Sequence, residues 1–572
     1  MIHSDIRLEI DRRTSSRGAW ISLLSAWIVG FAALAVWLLQ TPTGLLREQL
    51  KTFQLWSLET CVALGLVLGC AVVPGLWRGL DRGDALRMAT VGALALGLTV
   101  FVAPRTNRIY YDEQIYQGVA QNLADLKLAQ MCNDGTVEYG RLQCWSGEYN
   151  KQPYAYPHML SLVYRVFGVH ATTAFAVNAA AIVATVCLVY LLAFTMFHDR
   201  ITAVFAGLLI PFVPQQVIWS ATAAAEPSAS LACVVALLSV AHFLRSRSTI
   251  ALAAAAVATA YSVQFRPESI LIVPVIGLLL WFRSRDEFTR PRLWWLGLLF
   301  FALTALHVAH LFAVRNEGWG ANQARLSLGY VTANLRVNGW FYLGDERFPI
   351  VFTLLAALGL SSRRRVPERM ALVAYFLVFF GMDLLFYAGS YNYGADVRYS
   401  LMTYPPLAVL GGLGAAHVVR WLNHLRPGLP AQAAVMAGLA FQFLWYVPLV
   451  RATTEEAWAA RADVRFAKSF VPELPENSYV LTHNPGMFHV WGVNAGQMSL
   501  VVANPGYLDY LGSRYAGGVY LHWNFWCNVQ DPVQRDFCQK ALDLKPIELM
   551  REYRERDQRY ALYRIQTSLK QD

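Results

Sequence analysis

Long apolar runs alternate with short polar connections along most of this chain. A run of about 18 or more apolar residues is long enough to cross a bilayer as a helix. The pattern predicts a mainly α-helical, polytopic membrane protein with about 13 transmembrane helices. We place these spans near residues 20–40, 57–77, 86–104, 171–197, 201–218, 227–244, 249–264, 268–282, 293–314, 347–361, 370–388, 402–421 and 431–451.

Two stretches break this pattern. In the loop 105–170, four apolar residues (Ile115, Val119, Leu123 and Leu126) recur at helical spacing, which predicts an amphipathic helix at the membrane surface. After residue 451 the long apolar runs stop. There "TTEEAWAARADVRFAKSF" predicts a helix, and "SYVLTH", "MSLVVA" and "GVYLHW" predict short strands. We therefore divide the chain into a transmembrane catalytic domain, 1–451, and a small α/β domain, 452–572.

The charge pattern predicts an orientation. Of the 572 residues, 56% are hydrophobic and only 15% are charged, whereas a soluble chain carries about 25% charged residues. The net charge of +10 does not indicate nucleic acid, because the arginines fall in short clusters between apolar runs. Positive clusters mark cytoplasmic connections. We expect an integral inner or plasma membrane protein with a cytoplasmic N-terminus, and with the loop 105–170 and the C-terminal domain outside.

Cysteine positions agree with this orientation. Four of the eight cysteines lie in predicted spans, and the other four form two close pairs in predicted external segments, Cys132 with Cys144 and Cys527 with Cys538. Close pairs in an oxidising compartment favour disulfides. The alternatives are four free thiols or a zinc site, although neither pair has metal-ligand spacing.

Separate external loops bring both carboxylates and cations to the same face of the membrane. Ionisable groups near the apolar zone are costly, and they indicate a functional site. The ionisable side chains that gather there are Asp112, Glu113, Lys151, Glu226, Arg266, Glu268, Asp396 and Arg398. A carboxylate can take a proton from an acceptor as it attacks, and cations can bind a phosphate and stabilise it as it leaves. This combination suits sugar transfer from a lipid-linked phosphate.

Each of these residues also has a simpler interpretation. The acidic pair could be part of a solvated loop, and Lys151 could be an interfacial lysine that extends toward the headgroups. Glu226 stands before Pro227 and could open a helix. Arg398 could pair with Asp396 or anchor the chain at the interface. The convergence of all these groups on one face favours the functional interpretation.

Four short motifs resemble those of the GT-C superfamily of integral-membrane glycosyltransferases. The closest branch is the group of protein O-mannosyltransferases and lipid A aminoarabinose transferases. The motifs are "YYDEQIYQGVAQNLA", "KQPYAYPHMLSLVYRVFG", "AEPSASLACVVALLSVA" and "RYSLMTYPPLAVLGG". The chain departs from the family at Gln152, which replaces the first proline of a Lys-Pro-Pro pattern. It also has more spans before the first motif than the family usually has, and an inserted stretch from Cys132 to Cys144.

The resemblance implies roles for these residues. Asp112 would be the catalytic base, and Glu113 would assist placement of the acceptor. Lys151 and Arg398 would contact the donor phosphate, and Glu226 would occupy the second acidic position. Family members use polyprenyl-phosphate sugars and invert the anomeric centre.

We therefore expect an inverting transfer from a polyprenyl-phosphate sugar to a protein, lipid or glycan on the extracytoplasmic face. We assign Arg266 to the donor phosphate as well. No motif requires a cofactor, and a divalent cation bridging Asp112, Glu226 and the phosphate stays open. The alternatives are a transporter or flippase for a lipid-linked saccharide and a structural or sensory protein with a receptor tail. Charge clustered at one face, without internal symmetry, favours the enzyme.

Overall fold

The protein is a bundle of helices with a mixed sheet at one end. The computed structural model describes residues 2–109, 111–317, 324–363, 365–392, 394–452, 458–528 and 532–567. The helices before residue 453 are α1 Ile2–Gln40, α2 Thr43–Trp77, α3 Arg82–Phe101, α4 Asp112–Asp125, α5 Ala155–Phe167, α6 Thr173–Phe197, α7 Arg200–Leu209, α8 Pro214–Ser220, α9 Glu226–Ser246, α10 Thr249–Ser262, α11 Ile272–Arg283, α12 Pro291–Ala313, α13 Val331–Leu343, α14 Ile350–Leu360, α15 Val366–Leu385, α16 Tyr404–Leu425 and α17 Ala431–Ala452. Short 3₁₀ helices at Pro267–Leu271 and Gly394–Thr403 precede α11 and α16.

The C-terminal part mixes helices and strands. Its helices are α18 Trp458–Phe470, α19 Pro485–Val490, α20 Met498–Ala503, α21 Tyr507–Arg514 and α22 Pro532–Asp543. The strands of the whole chain are β1 Met131–Glu138, β2 Arg141–Glu148, β3 Tyr479–Thr482, β4 Asn494–Gln497, β5 Val519–Trp523, β6 Ile547–Glu555 and β7 Gln558–Ile565. The prediction of a strand at "MSLVVA" is wrong, because these six residues form α20.

Each predicted span falls on helical structure, but the count of 13 is not confirmed. Within the described residues, eight helices are long and apolar enough to cross a membrane. A ninth crossing results if α7 and α8, which meet at a bend of 64°, form one broken span. The other four predicted spans fall on α10, α11, α14 and α15. The protein is an integral membrane protein.

Small residues let the central helices pack closely. Helix α16 contains Gly411, Gly412 and Gly414, and it lies against α7 and α14. A Cβ atom at Gly414 would overlap the carbonyl oxygen of Leu355 in α14. Lipid tails are as apolar as the helix surfaces, so the hydrophobic effect does not drive helices together inside a bilayer. Close backbone approach stabilises the packing through van der Waals contact instead. It makes this part of the bundle a rigid support for the loops at its end.

The seven strands form one sheet in the order β2-β1-β4-β3-β5-β7-β6. Strands β3, β4 and β5 are parallel, and the outer pairs are antiparallel. Strands β1 and β2 come from the loop 105–170, more than 300 residues before β3. The inserted stretch that departs from the family pattern is therefore a hairpin that completes the C-terminal sheet.

A buried carboxylate joins this hairpin to the C-terminal domain. Asp134 lies in β1 opposite Gly496 of β4, and it accepts hydrogen bonds from the hydroxyls of Tyr479 and Tyr507. Our predicted boundary follows residue 451, close to the end of α17, but two of the seven strands precede it. The division into two domains stays a prediction. The sheet contains strands from both sides of the predicted boundary.

Both predicted disulfides are confirmed, Cys132–Cys144 within the hairpin and Cys527–Cys538 in the C-terminal domain. The first joins β1 to β2. The second joins the turn after β5 to α22. The other four cysteines, at positions 61, 70, 187 and 233, are free thiols within helices.

Candidate active site

The acidic motif lies at the start of α4, between the helix bundle and the C-terminal domain. Helix α4 is the helix predicted in the first outer loop, but it is buried along most of its length. Gly118 in α4 allows the close approach, because a Cβ there would lie 3.3 Å from the Cα of Gly486 in α19. The motif is thus held between two layers of protein.

A strained residue sets the start of this helix. Tyr111 has a φ of 80° and a ψ of −47°, which a residue with a side chain rarely adopts. Its hydroxyl donates a hydrogen bond of 2.9 Å to the carbonyl oxygen of His483 in the C-terminal domain. This contact holds Tyr111 in place, and it sets the direction in which Asp112 and Glu113 leave the first turn.

Glu113 is completely buried, and its carboxylate organises the surrounding backbone. Oε1 accepts hydrogen bonds from the backbone N–H groups of Arg108 and Ile109, at 2.7 and 3.0 Å. Oε2 accepts from the Asn107 amide at 2.8 Å and from the backbone N–H of Ala223 at 2.9 Å. Burial raises the pKa of Glu113, and the four donors oppose that rise. Because each oxygen meets two donors, the surroundings fit the ionised form.

Asp112 lies differently, with 31% of its side chain exposed. Oδ1 accepts a 2.8 Å hydrogen bond from Nε2 of Gln152, and Oδ2 lies 3.7 Å from Nη2 of Arg398. The carboxylate is therefore oriented by one amide and faces one cation, and part of it stays accessible. Gln152, which the sequence presents only as a departure from a motif, holds the carboxylate in place.

A buried ion cluster continues inward from Arg398. Its Nε lies 2.7 Å from Oε1 of Glu226, a residue that is 1% exposed, and Arg266 pairs with the same oxygen. Arg266 also pairs with Glu268. Both guanidinium groups lie over the ring of Tyr399, at 5.1 and 4.9 Å from its centre. A guanidinium group in this position is attracted electrostatically to the face of the aromatic ring.

Lys151 is half-buried in the turn between β2 and α5. Two residues earlier, the hydroxyl of Tyr149 forms a 2.7 Å hydrogen bond with Nδ1 of His310 in α12. This contact holds the chain just before Gln152, the residue that orients Asp112. Lys151 therefore lies one residue from a direct contact of the carboxylate.

The structure thus brings Asp112, Glu226, Arg266 and Arg398 into one chain of contacts, with Lys151 beside it. Glu113 belongs to the supporting backbone on the inner side. The side chain of Asp396 lies outside the described part. Gln152, Glu268 and Tyr399 join the site as well. Glu268 is among the ionisable residues that the sequence places on this face, whereas Gln152 is a polar neighbour of Lys151, and that adjacency is the signal that could have found it.

One group of three side chains with metal-ligating atoms occurs among the described residues, His483 with Cys527 and Cys538. Because the two cysteines form a disulfide, they have no thiolate to offer a metal. No cofactor is established. In the candidate active site, Oε1 of Glu226 already pairs with two guanidinium groups.

Comparison with known proteins gives the class. A family model described as dolichyl-phosphate-mannose-protein mannosyltransferase matches residues 151–310, which include Lys151, Glu226 and Arg266. No curated protein matches the chain. Among solved structures, ArnT from Cupriavidus metallidurans in the apo state is similar, with a TM-score of 0.52 and 14% identity over 83% of this chain and 97% of that one.

Two further structures are similar. ArnT from the same organism bound to undecaprenyl phosphate has a TM-score of 0.51 and 13% identity, over 85% of this chain and 98% of that one. An oligosaccharyltransferase of Archaeoglobus fulgidus, tethered with an acceptor peptide, has a TM-score of 0.47 and 12% identity, over 82% of this chain and 72% of that one.

The class that the fold and the matching family model define is an integral-membrane glycosyltransferase. More particularly, the chain has the GT-C fold, as its motifs predict.

Proposed function

We propose that this protein transfers a sugar from a polyprenyl-phosphate donor to an acceptor on the extracytoplasmic side of the membrane. The observation that carries the proposal is the position of Asp112, whose carboxylate is partly exposed, oriented by Gln152 and 3.7 Å from Arg398. A base and a phosphate-binding cation are thus neighbours. The ArnT structure bound to undecaprenyl phosphate supports a polyprenyl phosphate as the carrier.

The reaction is a single displacement. The proton of the acceptor's O–H or N–H group moves to the carboxylate of Asp112 while the acceptor atom forms its bond to the anomeric carbon. The bond between that carbon and the phosphate oxygen breaks, and its electron pair stays on the polyprenyl phosphate. Because the acceptor attacks from the face opposite the leaving phosphate, the anomeric configuration inverts.

The cations stabilise the phosphate as its negative charge grows. Lys151, Arg266 and Arg398 provide positive charge, and phosphate is a weak enough base to leave without a dedicated general acid. Glu226 acts as a positioning residue, since one of its oxygens holds both arginines. Its Oε2 is buried and accepts no hydrogen bond from the described residues, so it can accept one from a sugar hydroxyl. No step of this reaction passes through a divalent cation.

Replacing Asp112 by asparagine tests the proposal. Asp112→Asn should fold, insert and keep its donor, because the amide has the same shape and Gln152 can still bond its oxygen. Transfer should fall by about 10²- to 10⁴-fold, the usual contribution of a general base. Native mass spectrometry of the purified variant should find a polyprenyl monophosphate that carries a sugar.

The matched control is Asp509→Asn, since Asp509 is 57% exposed and pairs with Lys545 in the C-terminal domain. That variant should transfer sugar normally. Near-normal transfer by Asp112→Asn would remove the base assignment. Finding only bulk phospholipid, or a long lipid-linked oligosaccharide, would favour a transporter instead.

A further inference from the structure

A separate cavity of about 240 Å³ lies where the acidic motif meets the C-terminal domain. One water molecule needs only about 10–15 Å³ of such space, so the cavity has room for a small organic group. Three aromatic rings line it, those of Tyr111, Trp526 and Phe537. Its polar lining comes from His483, Gln497 and Ser499. Among the described residues that line it, none is an aspartate, glutamate, lysine or arginine.

This cavity adjoins the start of the helix that carries the proposed base. Tyr111 forms part of its wall and immediately precedes Asp112, and Cα atoms of consecutive residues are about 3.8 Å apart. The hydrogen bond from the Tyr111 hydroxyl to the His483 carbonyl joins two walls of the cavity. The cavity and the proposed base therefore share the backbone at the start of α4.

We propose that this cavity binds the acceptor, and that the acceptor group it recognises is a neutral sugar residue of a glycan. The inference rests on the proposed function and names the substrate class for the same site. A sugar ring has apolar C–H faces, which pack on aromatic rings. Its hydroxyls can bond the imidazole, amide and hydroxyl groups of His483, Gln497 and Ser499. Aromatic walls with a few polar groups are typical of sites for such ligands.

The sheet argues against a peptide acceptor in this cavity. Extended peptides commonly bind by adding a strand to an exposed sheet edge. Gln497 ends β4 and His483 follows β3, and both strands are paired on each side, β4 with β1 and β3, and β3 with β4 and β5. The edges of the sheet are β2 and β6. The cavity must therefore recognise its ligand through side chains.

The second disulfide holds the aromatic walls in place. Trp526 precedes Cys527 and Phe537 precedes Cys538, so this bond ties the two rings together through their neighbours. The sulfur of Cys538 also lies 3.8 Å from Nδ1 of His483. Breaking the bond should weaken acceptor binding and leave Asp112 and the donor cations in place.

The test measures binding of neutral disaccharides to the full-length protein in lipid nanodiscs by saturation-transfer NMR, without donor. Maltose, lactose and cellobiose serve as probes, and a serine- and threonine-containing peptide of similar size is the competing class. At least one disaccharide should bind. Trp526→Ala should weaken that binding at least tenfold, and the matched control Trp145→Ala should not, since Trp145 is an exposed residue of β2.

Two double variants test the role of each disulfide in binding. Replacing Cys527 and Cys538 by alanine should weaken binding as Trp526→Ala does, whereas replacing Cys132 and Cys144 should not. If Trp526→Ala fails to fold, Ser499→Leu, which fills the cavity without removing a wall, should block binding equally. Each variant is checked for retained polyprenyl lipid.

The inference is overturned if no disaccharide binds, if binding is unchanged in Trp526→Ala or Ser499→Leu, or if the peptide binds in a Trp526-dependent way. The same measurements on Asp112→Asn separate this inference from the proposed function. If saccharides bind but Asp112→Asn transfers sugar normally, Asp112 is not the base and the cavity assignment stands. Loss of transfer in Asp112→Asn without any saccharide binding keeps the base and removes the cavity assignment.

Discussion

Replacing Glu113 by glutamine separates support of the backbone from direct action on a substrate. The change keeps the shape of the side chain but turns one oxygen into an NH₂ group. Two of the four N–H donors that now bond the carboxylate then face another donor. A hydrogen bond to a charged group contributes about 1.5–3 kcal/mol, so the loss of two costs about 3–6 kcal/mol.

This cost should appear locally. A loss of about 3 kcal/mol corresponds to more than a hundredfold change in an equilibrium constant. Hydrogen-exchange mass spectrometry should therefore show at least a hundredfold loss of protection either at the N–H groups of Arg108 and Ile109, if the amide nitrogen replaces Oε1, or at that of Ala223, if it replaces Oε2. Transfer should also fall, because these hydrogen bonds hold the start of α4 that carries Asp112. Glu48→Gln is the matched control, since Glu48 is 65% exposed.

One result would refute this reasoning. If Glu113→Gln keeps normal exchange at all three N–H groups and a normal melting temperature but loses transfer, Glu113 acts on the substrate. Glu113 would then assist placement of the acceptor by contacting it directly, as the sequence analysis predicts. If exchange and transfer change together, Glu113 acts through the backbone that positions Asp112.

Three further predictions concern stability. Glu226→Gln leaves two buried guanidinium groups without their shared carboxylate, so the free energy of unfolding should fall by about 3–5 kcal/mol. The purified protein should also lose donor lipid, and a normal melting temperature would contradict this prediction. Asp134→Asn removes the charged acceptor of two tyrosine hydroxyls, and proteolysis should then cleave the β1–β2 hairpin faster than in Asp509→Asn. Burial lowers the pKa of His489 to about 4. The unfolded chain takes up this proton below about pH 6.5, so stability should fall by up to about 3 kcal/mol as the pH drops toward 4. Melting curves at pH 7.5 and 5 should show a smaller loss for His489→Gln, and an equal loss would assign the effect to other groups.

Much of the fold could be predicted from sequence, because bilayer thickness imposes a length and a polarity on each span. The disulfides could be predicted as well, since both pairs are close in sequence. The pairing of β1 with β4 could not. These strands are more than 300 residues apart, and a pattern read within one window carries no information about a partner so distant.

The acidic pair shows the same limit at the site. Both residues lie in the first turn of α4, and consecutive residues of a helix point in directions about 100° apart. Only one of them can face the open side. The sequence does not decide which, because the choice depends on how the segment from Asn107 to Ile109 wraps around Glu113. "MSLVVA" fails for a related reason, since a short apolar run fits a buried helix as well as a strand.

The shared sheet also has a consequence for biosynthesis. Strand β1 leaves the ribosome more than 300 residues before β4, and at about 5–20 residues per second it waits roughly 15–70 s for its partner. During that time its outer edge is open to pairing with other chains, which is a route to aggregation. The Cys132–Cys144 bond closes within the hairpin, so it can form before any of the C-terminal domain exists. The oxidised hairpin thus provides the strand on which the last part of the chain assembles.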